Sequence, residues 1–198
     1  MINIKQELEV AKRASEIAAA LLIDNKDNIN KILSNEGRDV KLKADLESEK
    51  VIKEYLLANS NFPILAEESG ANQDLGNSFW VVDPLDGTSN YSRDFPMCCI
   101  SIALIYEKEI TLGVINDFNR GSLYEGSTES GAKLNGADIF VSSIHDKSKA
   151  TLATGLPAKG NFDLESISEL SNELVSWKKS KNDWCCSYVM CICCFRTI

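Results

Sequence analysis

Apolar and polar positions change rhythm along the chain and divide it into tracts. From residue 4 to 24, Ile4, Leu8, Ala11, Ala18, Leu21 and Leu22 recur at helical spacing against an alanine-rich background, which predicts a helix. Residues 46–59 repeat that rhythm, with Val51, Ile52, Tyr55 and Leu56 on one face. Both apolar faces read as core. The middle of the chain loses the helical period. Ile64-Leu65 and Phe79 to Val82 are short apolar runs that predict buried strands, and "MCCISIALIYEKEITLGVIND" predicts two strands joined at Glu107-Lys108-Glu109. "GSLYEGSTESGAKLNGADIFVS" continues with short strands and glycine turns, of which Asn135-Gly136 is the strongest signal. "TLATGLP" predicts one more strand and a turn. Residues 163–178 return to helix, with Ile167, Leu170 and Leu174 aligned. Helices, then an antiparallel sheet, then a helix define an α+β class.

Composition narrows the picture. Of 198 residues, 44% are apolar and 25% charged, as in soluble globular proteins. The net charge of −8 argues against nucleic acid or an anionic membrane as partner. It leaves room for an anionic substrate, because a bound cation can supply local positive charge. No apolar run approaches the ~18 residues of a membrane span, and "MINIKQELEVAKRAS" lacks the pattern of a secretion signal; a cytoplasmic location is expected. Of seven cysteines, Cys98 and Cys99 fall in an apolar strand and read as buried thiols. The other five, Cys185, Cys186, Cys191, Cys193 and Cys194, crowd the end of the chain. Their functional reading is a metal knuckle or redox cluster, but no second Cys or His pair lies at finger-like spacing, and His145 is the only histidine.

The candidate chemistry lies in "EESGANQDLGNSFWVVDPLDGTSNY", residues 67–91. The run Phe79 to Val82 delivers Asp83 at the end of a buried strand. Pro84 cannot continue a ladder, and Asp86 returns to the side of Asp83. Gly87 frees the backbone, and Thr88-Ser89-Asn90 suit the opening of a helix. Two carboxylates so close repel unless a cation lies between them. Hard oxygen donors select Mg²⁺, and the N–H groups at a helix start favour an anion. The plainer alternative is a turn and cap with no metal.

The full strings are more specific. "WVVDPLDGTSNY" closely resembles the signature W-x-x-D-P-[IL]-D-G-T-x-N-[FY] of the inositol monophosphatase superfamily. "AEES" at residues 66–69 matches that family's [GA]-E-E-S motif at the expected distance upstream, and "DVKLKADLESE" at residues 39–49 resembles its early acidic segment. The resemblance extends to about Lys179. It implies a layered αβαβα sugar-phosphatase fold, of which this sequence carries the N-terminal part and the start of the second. It implies that Glu67, Asp83, Asp86 and the backbone carbonyl of Leu85 bind Mg²⁺, with Glu68 a further carboxylate nearby. Gly87 and Thr88 would hold phosphate through backbone N–H groups. The Thr88 hydroxyl and Glu67 would position the attacking water, and Asp45 would support that hydroxyl. Lys41 and Lys43 could face the site but read more simply as solvated side chains, and neither is given a role.

The implied reaction is direct hydrolysis of a phosphate monoester by metal-activated water, with no covalent phosphoenzyme. "DGTSNY" resembles the inositol monophosphatase branch, so the expected substrate is a small polyol or sugar phosphate such as inositol monophosphate. The alternatives are a 3′(2′),5′-bisphosphate nucleotidase, a fructose-1,6-bisphosphatase-like enzyme, and a metal-binding remnant without activity. Relatives of full length are expected to be homodimers.

The resemblance also implies a division of the chain: residues 1–150 as the metal- and phosphate-binding part, 151–179 as the start of the C-terminal part, and 180–198 as an aberrant tail. The family's later W-D-x-A-[AG] metal motif is absent, and Trp184 follows Asp183 in the wrong order. Shifting the reading frame by one nucleotide from Lys179, with codons chosen freely, turns Lys179 to Cys186 into K-V-R-M-I-G-A-A, which is close to the family's continuation. Trp184 and Met190, each with a single codon, fit that shift. The expectation is a frameshifted, C-terminally truncated chain with five accidental cysteines and little or no phosphatase activity.

Overall fold

The computed structural model describes residues 2–36, 39–154, 163–182 and 195–196. Its elements in order are helices α1 (Ile4–Asp24) and α2 (Lys26–Ile29), strands β1 (Ile32–Glu36) and β2 (Asp39–Leu42), helix α3 (Lys43–Asn59), and strands β3 (Ile64–Ala66), β4 (Gly70–Ala71) and β5 (Phe79–Asp86). Helix α4 (Thr88–Ser92) precedes strands β6 (Cys99–Tyr106), β7 (Glu109–Asp117), β8 (Ser122–Ser127), β9 (Gly131–Leu134), β10 (Ala137–Asp138) and β11 (Phe140–Val141). A 3₁₀ turn (Lys147–Lys149) leads to β12 (Thr151–Thr154), α5 (Leu164–Val175), β13 (Lys179–Asn182) and β14 (Phe195–Arg196).

Eight strands form one sheet in the order β10-β9-β8-β7-β6-β5-β3-β4. It is antiparallel except where β3 runs parallel to β5. The expected antiparallel sheet is therefore mixed. Two turns behave as the sequence implies. Glu107 and Lys108 carry φ of 54° and 70°, and Asn135 and Gly136 carry 49° and 81°, the left-handed pair that matches the twist of a hairpin.

Alternation decides which face of the sheet is sealed. Trp80 and Val82 on β5, Ile100, Ile102 and Leu104 on β6, and Leu112 and Val114 on β7 are buried under α1 and α3. From the helices come Ala11, Ala14, Ala18 and Leu22, then Ile52 and Leu56. The many alanines of α1 let it lie close to the strands. Trp80 is fully buried and satisfies its indole N–H on Ser60 Oγ at 3.0 Å. On the other face, Phe79, Val81, Ala103, Ile105 and Ile115 are only half-buried. Cys98 and Cys99 are buried thiols.

Three boundaries differ from the sequence reading. The helix expected at 46–59 starts at Lys43, because the Asp45 carboxylate accepts the backbone N–H of Leu42 at 2.6 Å and caps the first turn. The strand expected to stop at Val82 runs on to Asp86, across an irregularity described below. The helix expected over 163–178 spans Leu164–Val175, capped by Asp163 Oδ1 accepting from Ser166 N at 2.9 Å. No α5 residue is buried among the described residues, and Ile167 is 48% exposed. Strands β12 and β13 pair in parallel across α5, from Thr151 opposite Lys179 to Thr154 opposite Asn182. That pairing reaches three residues past Lys179. The turn after Thr154, and the tail from Asp183 to Cys194 with its five cysteines, lie outside the described residues.

Candidate active site

In an unbroken strand, residues 83 and 86 would point to opposite faces, since side chains alternate. They do not, because β5 carries an extra residue. Asp83 pairs with Ser101 and Asp86 with Cys99, so three steps on β5 oppose two on β6. This is a β-bulge, and it resets the alternation. Leu85 turns into the core at 1% exposure, while Asp83 and Asp86 stay half-buried on the same side. Pro84 fits here because its missing N–H costs nothing where the ladder is already interrupted. The bulge, not the end of the strand, brings the two aspartates together.

The parallel register of β3 and β5 supplies the third carboxylate. Ala66 lies opposite Val82, and the N–H of Glu67 donates to the carbonyl of Val82 at 3.1 Å, so the next residues, Glu67 and Asp83, fall side by side. Their carboxyl groups are in hydrogen-bond contact. A cleft of about 340 Å³ opens here, lined by Leu65, Ala66, Glu67, Val81, Val82 and Asp83.

After Asp86 the chain reverses at Gly87, with φ at +90°. A Cβ there would stand 2.7 Å from the carbonyl oxygen of Met97 and 3.1 Å from Cys98 Cβ, so only glycine fits. Helix α4 is pinned beyond it. Asn90 Nδ2 donates to the Met97 carbonyl at 2.7 Å, and the Tyr91 hydroxyl donates to the Leu22 carbonyl on α1 at 2.7 Å. The signature residues Asn90 and Tyr91 thus hold the turn in place. Thr88 Oγ1 lies 2.9 Å from Asp45 Oδ1 and 3.1 Å from the Leu85 carbonyl oxygen. The expected contact between Asp45 and the Thr88 hydroxyl is present in the geometry, and Leu85 presents its carbonyl beside the same hydroxyl.

Sequence reading missed two residues of this region. On α3, Ser48 and Glu49 follow Asp45 at three and four positions, so all three share one face with the buried Ile52 and Leu56. Ser48 Oγ donates to the Pro84 carbonyl at 2.8 Å, and Glu49 Oε2 accepts from the N–H of Glu68 at 2.8 Å. The available signal was polar residues on the apolar side of an amphipathic helix. Lys41 is also corrected. Its ammonium forms an ion pair with Glu68, whose side chain is 14% exposed, because the hairpin of β1 and β2 carries Lys41 to the 67–69 segment. Lys43 stays on the surface, 3.9 Å from Glu47.

Electrostatics mark the cluster. Burial pushes the Asp83 carboxyl well above the ordinary carboxylate range, and the neighbouring charges of Glu67 and Asp86 push it further. Burial also pushes Asp45 up to about 6, against the hydrogen bonds from Leu42 and Thr88 that favour its ionised form. Among the described residues no three His, Cys, Asp or Glu side chains are already gathered around one point. The donor set nonetheless fits magnesium: three carboxylates and a carbonyl are hard oxygen donors, and a cation would relieve the repulsion among the carboxylates.

A mixed sheet sealed on one face by two helices thus carries two aspartates at a bulge and a glutamate on the parallel neighbour. The chain belongs to the inositol monophosphatase family, whose model matches residues 3–193, a range that passes Lys179 where the sequence reading ends the resemblance. It is 36% identical over 157 residues to an inositol-1-monophosphatase of Synechocystis, covering 77% of this chain and 54% of that protein. It is 32% identical over 169 residues to a fructose-1,6-bisphosphatase/inositol-1-monophosphatase of Aquifex aeolicus, covering 83% of this chain and 63% of that one. The chain thus spans less than two thirds of either relative. Among solved structures, the extragenic suppressor protein suhB of Bartonella henselae superposes with a TM-score of 0.85 at 25% identity, over 94% of this chain and 74% of that one. An IMPase/NADP phosphatase complexed with Mg²⁺ and phosphate shares the fold at a TM-score of 0.81 and 17% identity, over 93% of this chain and 69% of that one.

Proposed function

We propose that the site hydrolyses a phosphate monoester with magnesium as cofactor, and that its substrate is a small polyol or sugar phosphate such as inositol monophosphate. The observation that carries the reading is the pairing of two groups: the carboxylates of Glu67, Asp83 and Asp86, and the Thr88 hydroxyl on Asp45 at 2.9 Å. Glu67, Asp83, Asp86 and the Leu85 carbonyl would hold magnesium, which supplies charge neutralisation and a water of lowered pKa. Gly87 and Thr88 would orient the phosphate through their backbone N–H groups. The Thr88 hydroxyl, by donating to Asp45, keeps its lone pairs available to orient a water beside Glu67. Positioning and electrostatics are most of what phosphoryl transfer requires.

Family membership supports the reaction class, and the names of the relatives support both inositol monophosphate and fructose-1,6-bisphosphate as substrates. A second reading, raised by the sequence, is magnesium binding without turnover. One experiment separates them: phosphate release by the 198-residue chain from inositol monophosphate, fructose 1,6-bisphosphate and 3′-phosphoadenosine 5′-phosphate, with Mg²⁺ and with EDTA. Release at any rate that needs Mg²⁺, is lost in Asp83→Asn and is highest with inositol monophosphate supports the first reading. Mg²⁺ binding with no release from any substrate supports the second.

A further inference from the structure

Helix α3 reaches the site through three side chains, only one of which has a place in the chemistry above. Asp45 receives the Thr88 hydroxyl. Ser48, fully buried, donates to the Pro84 carbonyl at 2.8 Å. Glu49, 4% exposed, accepts the N–H of Glu68 at 2.8 Å, and its other oxygen lies 3.6 Å from Lys53 Nζ. Lys53 in turn donates to Ser69 Oγ at 2.6 Å. We propose that Ser48 and Glu49 are positioning residues of the magnesium site, fixing the two peptide units from which its ligands project. This rests on the magnesium reading above.

The geometry shows how. Glu67 is held on both sides: its own N–H is bound to the Val82 carbonyl at 3.1 Å, and the next N–H is bound to Glu49. The backbone that aims its side chain therefore cannot swing. Ser48 fixes the Pro84–Leu85 peptide plane, whose N–H donates to Asp83 Oδ1 at 3.2 Å. The carbonyl of Leu85 starts from that fixed plane. These bonds lie at the bulge of β5 and just past the end of β3. The helix that makes them is rigidly seated by Ile52 and Leu56, which are at most 1% exposed. A buried carboxylate is a costly way to support a loop. Its directed use on one backbone N–H suits orientation better than it suits stability.

The test is calorimetric titration of Mg²⁺ into the metal-free 198-residue chain, its Ser48→Ala, Glu49→Gln and Glu49→Met variants, and Asp83→Asn, with unfolding midpoints in EDTA. Ser48→Ala and Glu49→Met are expected to weaken Mg²⁺ binding about tenfold or more, the usual consequence of removing a ligand's support. Glu49→Gln keeps an acceptor oxygen and is expected to stay within about threefold of the parent. The midpoint of Ser48→Ala in EDTA is expected to fall, because the buried Pro84 carbonyl loses its donor; titrated well below that midpoint, where the variant is fully folded, a merely structural role would leave Mg²⁺ affinity unchanged. If Glu49→Met does not fold, Ser48→Ala decides. Parent-like affinity in Ser48→Ala and Glu49→Met, or Glu49→Gln as weak as Glu49→Met, overturns the positioning role while the magnesium reading stands. A parent that does not bind Mg²⁺, or binds it as well after Asp83→Asn, overturns both.

Discussion

Gly87, Thr88 and Asp83 show how narrowly single residues are constrained here. Gly87 combines a left-handed backbone with a 2.7 Å approach to the Met97 carbonyl oxygen. Gly87→Ala should therefore cost about 1–3 kcal/mol, read as a lowered midpoint in urea denaturation. Thr88→Val keeps the shape and removes the hydroxyl. If the parent releases phosphate in Mg²⁺, this variant should lower that release by about 100-fold or more, with Mg²⁺ affinity unchanged by calorimetry. The acids predict a pH dependence. Asp83 and Asp45 are both raised in the folded chain, Asp45 from 3.8 to about 6. Between those values the folded state holds protons that the unfolded state has released, so stability falls as pH rises. Denaturation in EDTA should show this decline from pH 4 through pH 6 and above. Mg²⁺ should flatten the part due to Asp83, and Asp83→Asn should remove that part without metal.

Elements carry the site by holding these residues in register. Helix α4 has only five residues and little stability of its own. It is fastened by Tyr91, which is 2% exposed and donates to the Leu22 carbonyl. Tyr91→Phe leaves that carbonyl unsatisfied and should cost about 1–3 kcal/mol, with faster hydrogen exchange at residues 88–92. Much of this level was legible beforehand. The periodicity of α1 gave its limits, because its alanine and leucine stripe is long and uninterrupted. Asn135-Gly136 and the strand pair around Glu107-Lys108 were legible because turn chemistry is local. The bulge at Pro84-Leu85 was not, since a bulge is defined by its partner strand and β6 lies in a later part of the chain. The parallel pairing that sets Glu67 against Asp83 was hidden for the same reason. Ser48 and Glu49 went unread because helical spacing shows a shared face but not which backbone groups await it.

At the scale of the whole molecule, one face of the eight-stranded sheet is sealed by α1 and α3, and the carboxylates lie at the edge of the other. The strands fold against helices that also supply Asp45, Ser48 and Glu49, so core packing and site geometry are one construction. The candidate donors were legible through their resemblance to a family signature, and the chain belongs to that family. No helix among the described residues is long and apolar enough to cross a membrane. The central claim is that Glu67, Asp83 and Asp86 form a magnesium site. Calorimetric titration of Mg²⁺ into the metal-free chain beside Asp83→Asn and Asp86→Asn tests it most directly. Saturable binding in the parent that both substitutions abolish is the predicted result. Binding of equal strength in all three proteins, or none in the parent, would contradict the account.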